Sequence, residues 1–153
     1  MRALELKIPP PVIALLIGAA MWGISLTTPL VGVPAPVRLV VAMAIALIGV
    51  VTAIAGVAAF RRAKTTLNPL KPEASSSLVT SGIYRITRNP MYVGLALALI
   101  AWAVFLSSPW TLLGPLVFAL YMNRFQIVPE ERILLSVFGA DYSAYQAKVR
   151  RWL

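Results

Sequence analysis

The sequence predicts an all-α integral membrane protein, with four transmembrane helices followed by C-terminal interfacial amphipathic helices. Three observations predict this class. Of the 153 residues, 59% are hydrophobic and only 12% are charged, whereas soluble domains are about 45–50% apolar and about 25% charged. The chain contains four long apolar runs, and its basic residues cluster between them. Such clusters are typical of loops on the cytoplasmic side of a membrane.

The predicted spans are the four apolar runs Val12–Thr28, Val37–Phe60, Met91–Leu106 and Trp110–Asn123. A bilayer core about 30 Å thick needs roughly 20 helical residues. The second run is therefore comfortably long enough, the first is adequate, and the last two are short. We expect the last two to form a tight helical hairpin that turns at Ser107-Ser108-Pro109.

The distribution of basic residues predicts the orientation of the chain. Basic residues precede the first run, lie between the second and third, and follow the fourth, whereas only Arg38 falls on the other side. Four spans put the three groups on one face, so we expect both termini and the long loop to be cytoplasmic. We expect a single domain, 1–153, in a bacterial or archaeal inner membrane. Its parts are two N-terminal spans (1–60), a cytoplasmic loop (61–90), and the hairpin with the C-terminal region (91–153).

After the fourth run the sequence becomes amphipathic. Apolar residues recur at helical spacing, Gly139 interrupts them, and the pattern then resumes. The residues that carry it are Ile133, Leu134, Val137, Phe138, Tyr142, Tyr145 and Val149. Helices of this kind lie along a membrane surface, with basic and aromatic side chains at the headgroups. We expect them on the cytoplasmic side.

The composition excludes several kinds of chemistry. The chain has no cysteine, which excludes disulfides and thiolate metal sites, and no histidine, the commonest general base and metal ligand. We therefore expect no metal, and a reaction whose driving force lies in a cofactor. The formal net charge of +9 is explained by cytoplasmic loops and by attraction to anionic headgroups. We expect no nucleic-acid partner, because no soluble basic domain is present to bind one.

The segment 78–94, LVTSGIYRITRNPMYVG, is the most informative stretch of the chain. It is polar, basic and aromatic, and it runs directly into the third apolar run. Gly82 interrupts the chain, Arg85 and Arg88 flank the approach to Asn89 and Pro90, and the apolar residues follow. So many hydrogen-bonding groups at the entrance of a membrane helix indicate that something polar binds there.

This segment resembles the motif G-x-Y-R-x-x-R-[HN]-P-x-Y-x-G of membrane methyltransferases related to isoprenylcysteine carboxyl methyltransferase and phospholipid N-methyltransferase. A second block begins at Glu130 and Glu131 and continues to Val149, so the resemblance extends from about Thr65 to Trp152. It implies that the C-terminal region binds S-adenosylmethionine and that the substrate is a lipophilic small molecule or a lipid. The implied cofactor-binding residues are Leu78, Val79, Tyr84, Asn89, Pro90, Met91, Tyr92 and Glu130.

Several of these assignments have an alternative. The tyrosines Tyr84 and Tyr92 either stack on adenine and face the sulfonium or belong to the interfacial aromatic belt. Asn89 either bonds the nucleoside or caps the third helix. By resemblance, Glu130 contacts the ammonium or the ribose. We expect Glu131 to be structural and to pair with an arginine of the loop. Alternatively, both only stabilise a helix N-terminus.

Three arginines are the candidate catalytic residues. Arg85 or Arg88 either holds a carboxylate by charge-assisted hydrogen bonds or anchors the cytoplasmic face. In the prenylcysteine enzymes, an arginine four residues before the glutamate is associated with the substrate carboxylate. That position is Gln126 here, and Arg124 lies two residues earlier. This departure leaves a different lipophilic acceptor open.

Two other functions stay open at the level of sequence. A membrane reductase of the sterol-reductase type would bind NADPH, and the loop arginines would supply its phosphate site. A four-helix transporter is the non-enzymatic alternative. Proton-coupled transporters of this size rely on a carboxylate within a span, and the four apolar runs contain no charged residue except Arg38 at an end. The sequence therefore favours the methyltransferase.

Overall fold

The computed structural model describes residues 5–63 and 77–153. Within these ranges the chain forms helices and turns, and its only extended pairing is an isolated bridge between Thr87 and Arg150. The α-helices are α1 (Pro10–Thr27), α2 (Ala35–Arg62), α3 (Pro90–Leu106), α4 (Leu113–Tyr121) and α5 (Val128–Lys148). Short 3₁₀ turns cover Gly82–Arg85 and Pro109–Leu112, and a π-helical segment, Met122–Ile127, joins α4 to α5.

Three helical stretches are long and apolar enough to cross a membrane: Pro10–Thr27, Ala35–Arg62 and the continuous stretch Pro109–Lys148. The helix α3, with 17 residues, is a shorter apolar helix. The prediction of an all-helical membrane protein is confirmed for the described residues. The count of four spans and the interfacial character of the C-terminal helices stay predictions.

Small residues bring α2 and α3 into close contact. A Cβ atom placed on Gly94 would lie 2.7 Å from the carbonyl oxygen of Gly49 and 2.8 Å from the Cβ atom of Ala53. Backbones approach this closely in membrane helices only where side chains are small. At the start of α3, a Cβ atom on Gly56 would lie 3.0 Å from the ring of Pro90. The end of α2 therefore fixes the entrance of α3.

The remaining helices close the bundle around a small apolar core. Met21 of α1, Phe118 of α4 and Met122 of the π-helical segment are almost completely buried. The indole of Trp102 on α3 donates a hydrogen bond of 3.0 Å to the backbone of Gly18. The predicted hairpin turn lies between α3 and α4, where Ser107 ends α3 in the left-handed conformation (φ 54°).

The outer face of α2 is apolar. Val40, Leu47 and Ile54 lie seven residues apart, on one side of the helix, and each is about 60% exposed in the isolated chain. A stripe of exposed aliphatic side chains along a helix of 28 residues is what a lipid-facing surface requires. The charged residues of α2 lie near its two ends, with Arg38 in the first turn and Arg61 and Arg62 in the last.

Candidate functional site

The motif at the entrance of α3 folds as a turn followed by a helix start. Gly82 has φ 62°, a left-handed conformation that glycine adopts readily, and it opens the 3₁₀ turn that carries Tyr84. Pro90 lies at the first position of α3, where its missing N–H costs nothing. The backbone N–H of Asn89 donates to the hydroxyl of Thr87 at 3.1 Å. The loop therefore enters α3 along a fixed path.

The C-terminal residues bind this loop through their backbone. The N–H of Arg88 donates to the carbonyl of Arg150 at 3.0 Å, and the side-chain amide of Asn89 donates to the carbonyl of Arg151 at 2.8 Å. Asn89 precedes α3 but makes no side-chain cap, so the capping interpretation is wrong. Its predicted bond to the nucleoside stays a prediction.

Glu130 is held by two neutral donors. The hydroxyl of Tyr92 donates to its Oε1 at 2.6 Å, and the amide of Gln126 donates to the same oxygen at 2.7 Å. The described part of the chain places no Lys or Arg within ion-pair distance of Glu130. The residue is nevertheless not fully buried. A partly accessible carboxylate without a cationic partner is suited to bind a cation or a pair of hydroxyl groups.

The neighbouring carboxylate, Glu131, is held by two arginines. Arg88 donates to Oε1 at 2.8 Å, and Arg151 forms a fork, with Nε 3.0 Å from Oε1 and an Nη atom 2.6 Å from Oε2. The hydrogen bond to Glu131 raises the pKa of Arg151. Glu131 thus pairs with an arginine of the loop, as predicted. We call this group of Glu131, Arg88 and Arg151 the arginine clamp.

A second apolar cluster supports the turn before α3. The rings of Phe60 and Tyr84 meet edge to face with centroids 5.4 Å apart, and Val79 is buried beside them. The hydroxyl of Tyr145 on α5 donates to the backbone carbonyl of Tyr84 at 2.7 Å. Burial raises the pKa of Tyr84, so its hydroxyl stays neutral.

The structure brings some of the predicted residues together and leaves others apart. Tyr92 and Glu130 are in direct contact, and Asn89 and Pro90 lie in the same helix start as Tyr92. Leu78 and Met91 are half-buried. The candidate catalytic arginines are dispersed: Arg88 belongs to the arginine clamp, Arg85 is exposed, and Arg124 pairs with Glu5 at 3.1 Å. The segment 64–76 of the predicted cytoplasmic loop lies outside the described residues.

Sequence reasoning missed two residues of the site. Gln126 was noted only as a departure from the prenylcysteine pattern, but it lies four residues before Glu130, a spacing that brings helical side chains together. Arg151 is one of the basic residues after the fourth apolar run, which were used only to predict the orientation of the chain. Its two bonds to Glu131 had no signal in the sequence, because nothing there indicates that the last residues fold back onto the loop.

The sequence profile of the phospholipid methyltransferase family matches residues 37–141. An uncharacterized protein of Haemophilus influenzae is 48% identical over 63 residues, which are 41% of this chain and 100% of that protein. Methanethiol S-methyltransferase of Pseudomonas deceptionensis is 36% identical over 92 residues, 58% of this chain and 32% of that enzyme. Protein-S-isoprenylcysteine O-methyltransferase B of Arabidopsis thaliana is 33% identical over 91 residues, 58% of this chain and 45% of that enzyme.

The chain thus spans less than half the length of these two named enzymes. No solved structure matches it significantly. Among the described residues, no group of three or more His, Cys, Asp or Glu side chains is placed to hold a metal ion.

Proposed function

This chain belongs to the phospholipid methyltransferase family, and on that premise we propose that it transfers a methyl group from S-adenosylmethionine to a lipophilic small molecule or lipid. We propose the cytoplasmic face of the membrane as the place of the reaction, with both termini on that side. The named relatives and the family match support a methyltransferase over the reductase and the transporter.

The observation that carries this proposal is the pairing of Tyr92 with Glu130. S-adenosylmethionine bears an ammonium group, two ribose hydroxyls and a positive sulfur. Glu130 offers a carboxylate to which the described residues supply only neutral donors, and both donors reach Oε1. We assign Oε2 to the ligand. A cation bound there would gain the charge pairing that the described residues do not provide.

The other proposed contacts lie on the segment that leads into Tyr92. Leu78 and Val79 provide apolar surface for the adenine, and Tyr84 provides an aromatic ring in the same turn region. Asn89, Pro90 and Met91 form the start of α3. The segment is held by the end of α2 and by the C-terminal residues. A preorganised site of this kind binds its ligand without first having to order the segment that leads into Tyr92.

The cofactor supplies a methyl group that is already activated as part of a sulfonium. The protein therefore has to hold donor and acceptor in line and to exclude water. This requires neither histidine nor cysteine, in keeping with a chain that has none. A carboxylate or thiolate acceptor attacks as it stands, whereas a protonated amine must first lose a proton to free its lone pair.

Of the three candidate catalytic arginines, Arg85 is the best placed to bind an anionic group of the acceptor. Arg88 is engaged by Glu131 and Arg124 by Glu5, whereas Arg85 is exposed and forms no ion pair with any described residue. The names of the relatives specify different acceptors, methanethiol and isoprenylcysteine. The acceptor is therefore proposed only as a lipophilic molecule that enters from the bilayer.

A ligand titration tests the proposal. Detergent-solubilised protein is heated with increasing concentrations of S-adenosylhomocysteine or of NADPH. A ligand at 100 times its Kd stabilises the folded state by about 2.7 kcal/mol. We expect S-adenosylhomocysteine to raise Tm and NADPH to leave it unchanged. The reverse result would favour the reductase.

A transfer assay then identifies the acceptor. Protein is incubated with methyl-labelled S-adenosylmethionine and either total membrane lipid or prenylcysteine analogues, and the labelled product is identified by mass. A labelled lipophilic product supports the proposal. Binding of S-adenosylhomocysteine without a labelled product in either set would reject these two acceptor classes and retain the cofactor assignment.

A further inference from the structure

An open groove lies at the end of the bundle opposite Glu130. It has a volume of about 260 Å³ and is formed by the α1–α2 connection, the start of α2 and the α3–α4 turn. Its lining is apolar apart from one charged residue and two serines: Val31, Val33, Arg38, Ala103, Val104, Ser107, Ser108, Pro109 and Leu112. The helix α3 separates this groove from the entrance at Pro90 by about 25 Å, at 1.5 Å per residue.

Hydrogen bonds join the two connections that line the groove. The N–H of Val31 donates to the carbonyl of Ser107 at 2.7 Å, and the hydroxyl of Ser107 donates back to the carbonyl of Val31 at 3.0 Å. The hydroxyls of Thr28 and Ser108 lie 2.7 Å apart. Both serines of the lining are therefore already engaged by the protein. Arg38 is the polar group that remains for a ligand.

The charge of Arg38 has no carboxylate near it in sequence or in the described structure. No acidic residue occurs in 8–60 or in 89–123, and the described residues give Arg38 no ion pair. Its guanidinium lies 5.7 Å from the ring centroid of Phe105. It also lies in the first turn of α2, where the helix dipole disfavours a cation and favours an anion.

We propose that this groove binds one anionic phospholipid, with its phosphate on Arg38 and part of an acyl chain along the apolar lining. An arginine fork matches a phosphate by charge-assisted hydrogen bonds. The apolar side chains that line the groove accept hydrocarbon. The assignment is independent of the proposed methyl transfer, because the two sites lie at opposite ends of α3.

The test compares anionic and zwitterionic lipids in one sample. The protein is reconstituted in equimolar phosphatidylglycerol and phosphatidylcholine, and the lipids it retains are counted by native mass spectrometry. The parent should retain one phosphatidylglycerol with a preference on the order of tenfold. Arg38→Gln should abolish this preference. Arg61→Gln, which removes a charge from the other end of the same helix, should retain it.

A second variant tests the apolar part of the groove. Val104→Trp keeps Arg38 but fills the groove, and it should release the retained phosphatidylglycerol. Glycerol phosphate, a headgroup without a chain, should not raise Tm if the hydrocarbon contributes to binding. The proposal is overturned if Arg38→Gln keeps the preference, if Arg61→Gln loses as much, or if glycerol phosphate alone raises Tm as the lipid does.

Discussion

Glu130 and Glu131 are adjacent in sequence, yet their surroundings differ in kind. Glu131 accepts three hydrogen bonds from Arg88 and Arg151, whereas Glu130 accepts its bonds from the neutral groups of Tyr92 and Gln126. One carboxylate has its charge compensated within the protein. The other has only neutral donors among the described residues, so a cationic ligand can supply its counter-charge.

This difference separates stability from binding. The arginine clamp joins the loop before α3, the helix α5 and the C-terminal residues, so its energy contributes to the folded state. Polar groups that the fold leaves incompletely paired are usual at functional sites. The same substitution should therefore have different effects at the two positions. At Glu131 it should lower the stability of the protein, and at Glu130 it should lower the affinity for the ligand.

The largest expected effect is on stability, from Glu131→Gln. The substitution leaves the nearly buried Arg88 without its counter-charge, and breaking a buried ion pair costs about 3–5 kcal/mol. We expect about 3 kcal/mol here, because Arg151 is partly solvated. Unfolding of the detergent-solubilised protein by denaturant measures the loss. An unchanged midpoint would mean that the clamp does not hold the fold together.

The next effect is on affinity, from Glu130→Gln. This variant keeps a side chain of the same size but removes the charge, and a hydrogen bond to a charged group contributes about 1.5–3 kcal/mol. We expect the Kd for S-adenosylhomocysteine to rise by about 10- to 100-fold, with Tm of the free protein little changed.

Asp141→Asn is the matched control for that variant. Asp141 is an exposed acid on the same helix, so it reports the effect of removing one negative charge from α5. The affinity of the Asp141→Asn variant for S-adenosylhomocysteine should equal that of the parent. If Glu130→Gln and Asp141→Asn bind equally well, Glu130 does not contact the ligand.

A smaller effect is expected from Tyr92→Phe. This change removes the hydroxyl that donates to Glu130 at 2.6 Å but keeps the ring in its buried place. An intramolecular hydrogen bond contributes about 1 kcal/mol net on average, so we expect a fall in ligand affinity of about fivefold. The double variant with Glu130→Gln measures the coupling. Additive losses would show that Tyr92 and Glu130 act separately on the ligand.

The helices were predictable because a membrane span requires a continuous run of apolar residues, which is visible in the sequence. The run Val37–Phe60 became α2, Ala35–Arg62, and the run that begins at Met91 became α3, which begins one residue earlier at Pro90. The interruption predicted at Gly139 is also present, where the backbone is non-helical. Hydrophobic periodicity and helix-breaking residues are local properties, so they can be identified without knowledge of the tertiary structure.

The end of the fourth run was not predictable in the same way. The fourth apolar run ends at Asn123, and the basic residue Arg124 follows it. In the structure the helix continues from there through a π-helical segment into α5. Partners from distant parts of the chain satisfy both residues. Asn123 accepts a bond from Trp152 at 3.1 Å and Arg124 pairs with Glu5.

The contacts of the candidate site also fall into a predictable and an unpredictable group. The contact between Tyr92 and Glu130 joins two residues that the family motifs already contain. The bonds from Arg88 and Asn89 to Arg150 and Arg151 use backbone carbonyls, which every residue possesses and no motif can mark. Motifs therefore identified side chains with chemistry, whereas the backbone contacts that position them appeared only in the fold.

The smallest effect comes from Arg151→Lys. The ammonium keeps the charge beside Glu131 but loses the fork that Arg151 forms on both carboxylate oxygens. Because Arg151 is 37% exposed, solvent screens the pair, and exposed pairs contribute about 0.2–1 kcal/mol. We expect a loss of unfolding free energy in that range, and unchanged affinity for S-adenosylhomocysteine, because the backbone carbonyl that binds Asn89 is retained. A fall in affinity without a fall in stability would place Arg151 on the ligand side of the comparison, and the two carboxylates could then no longer be assigned separate roles.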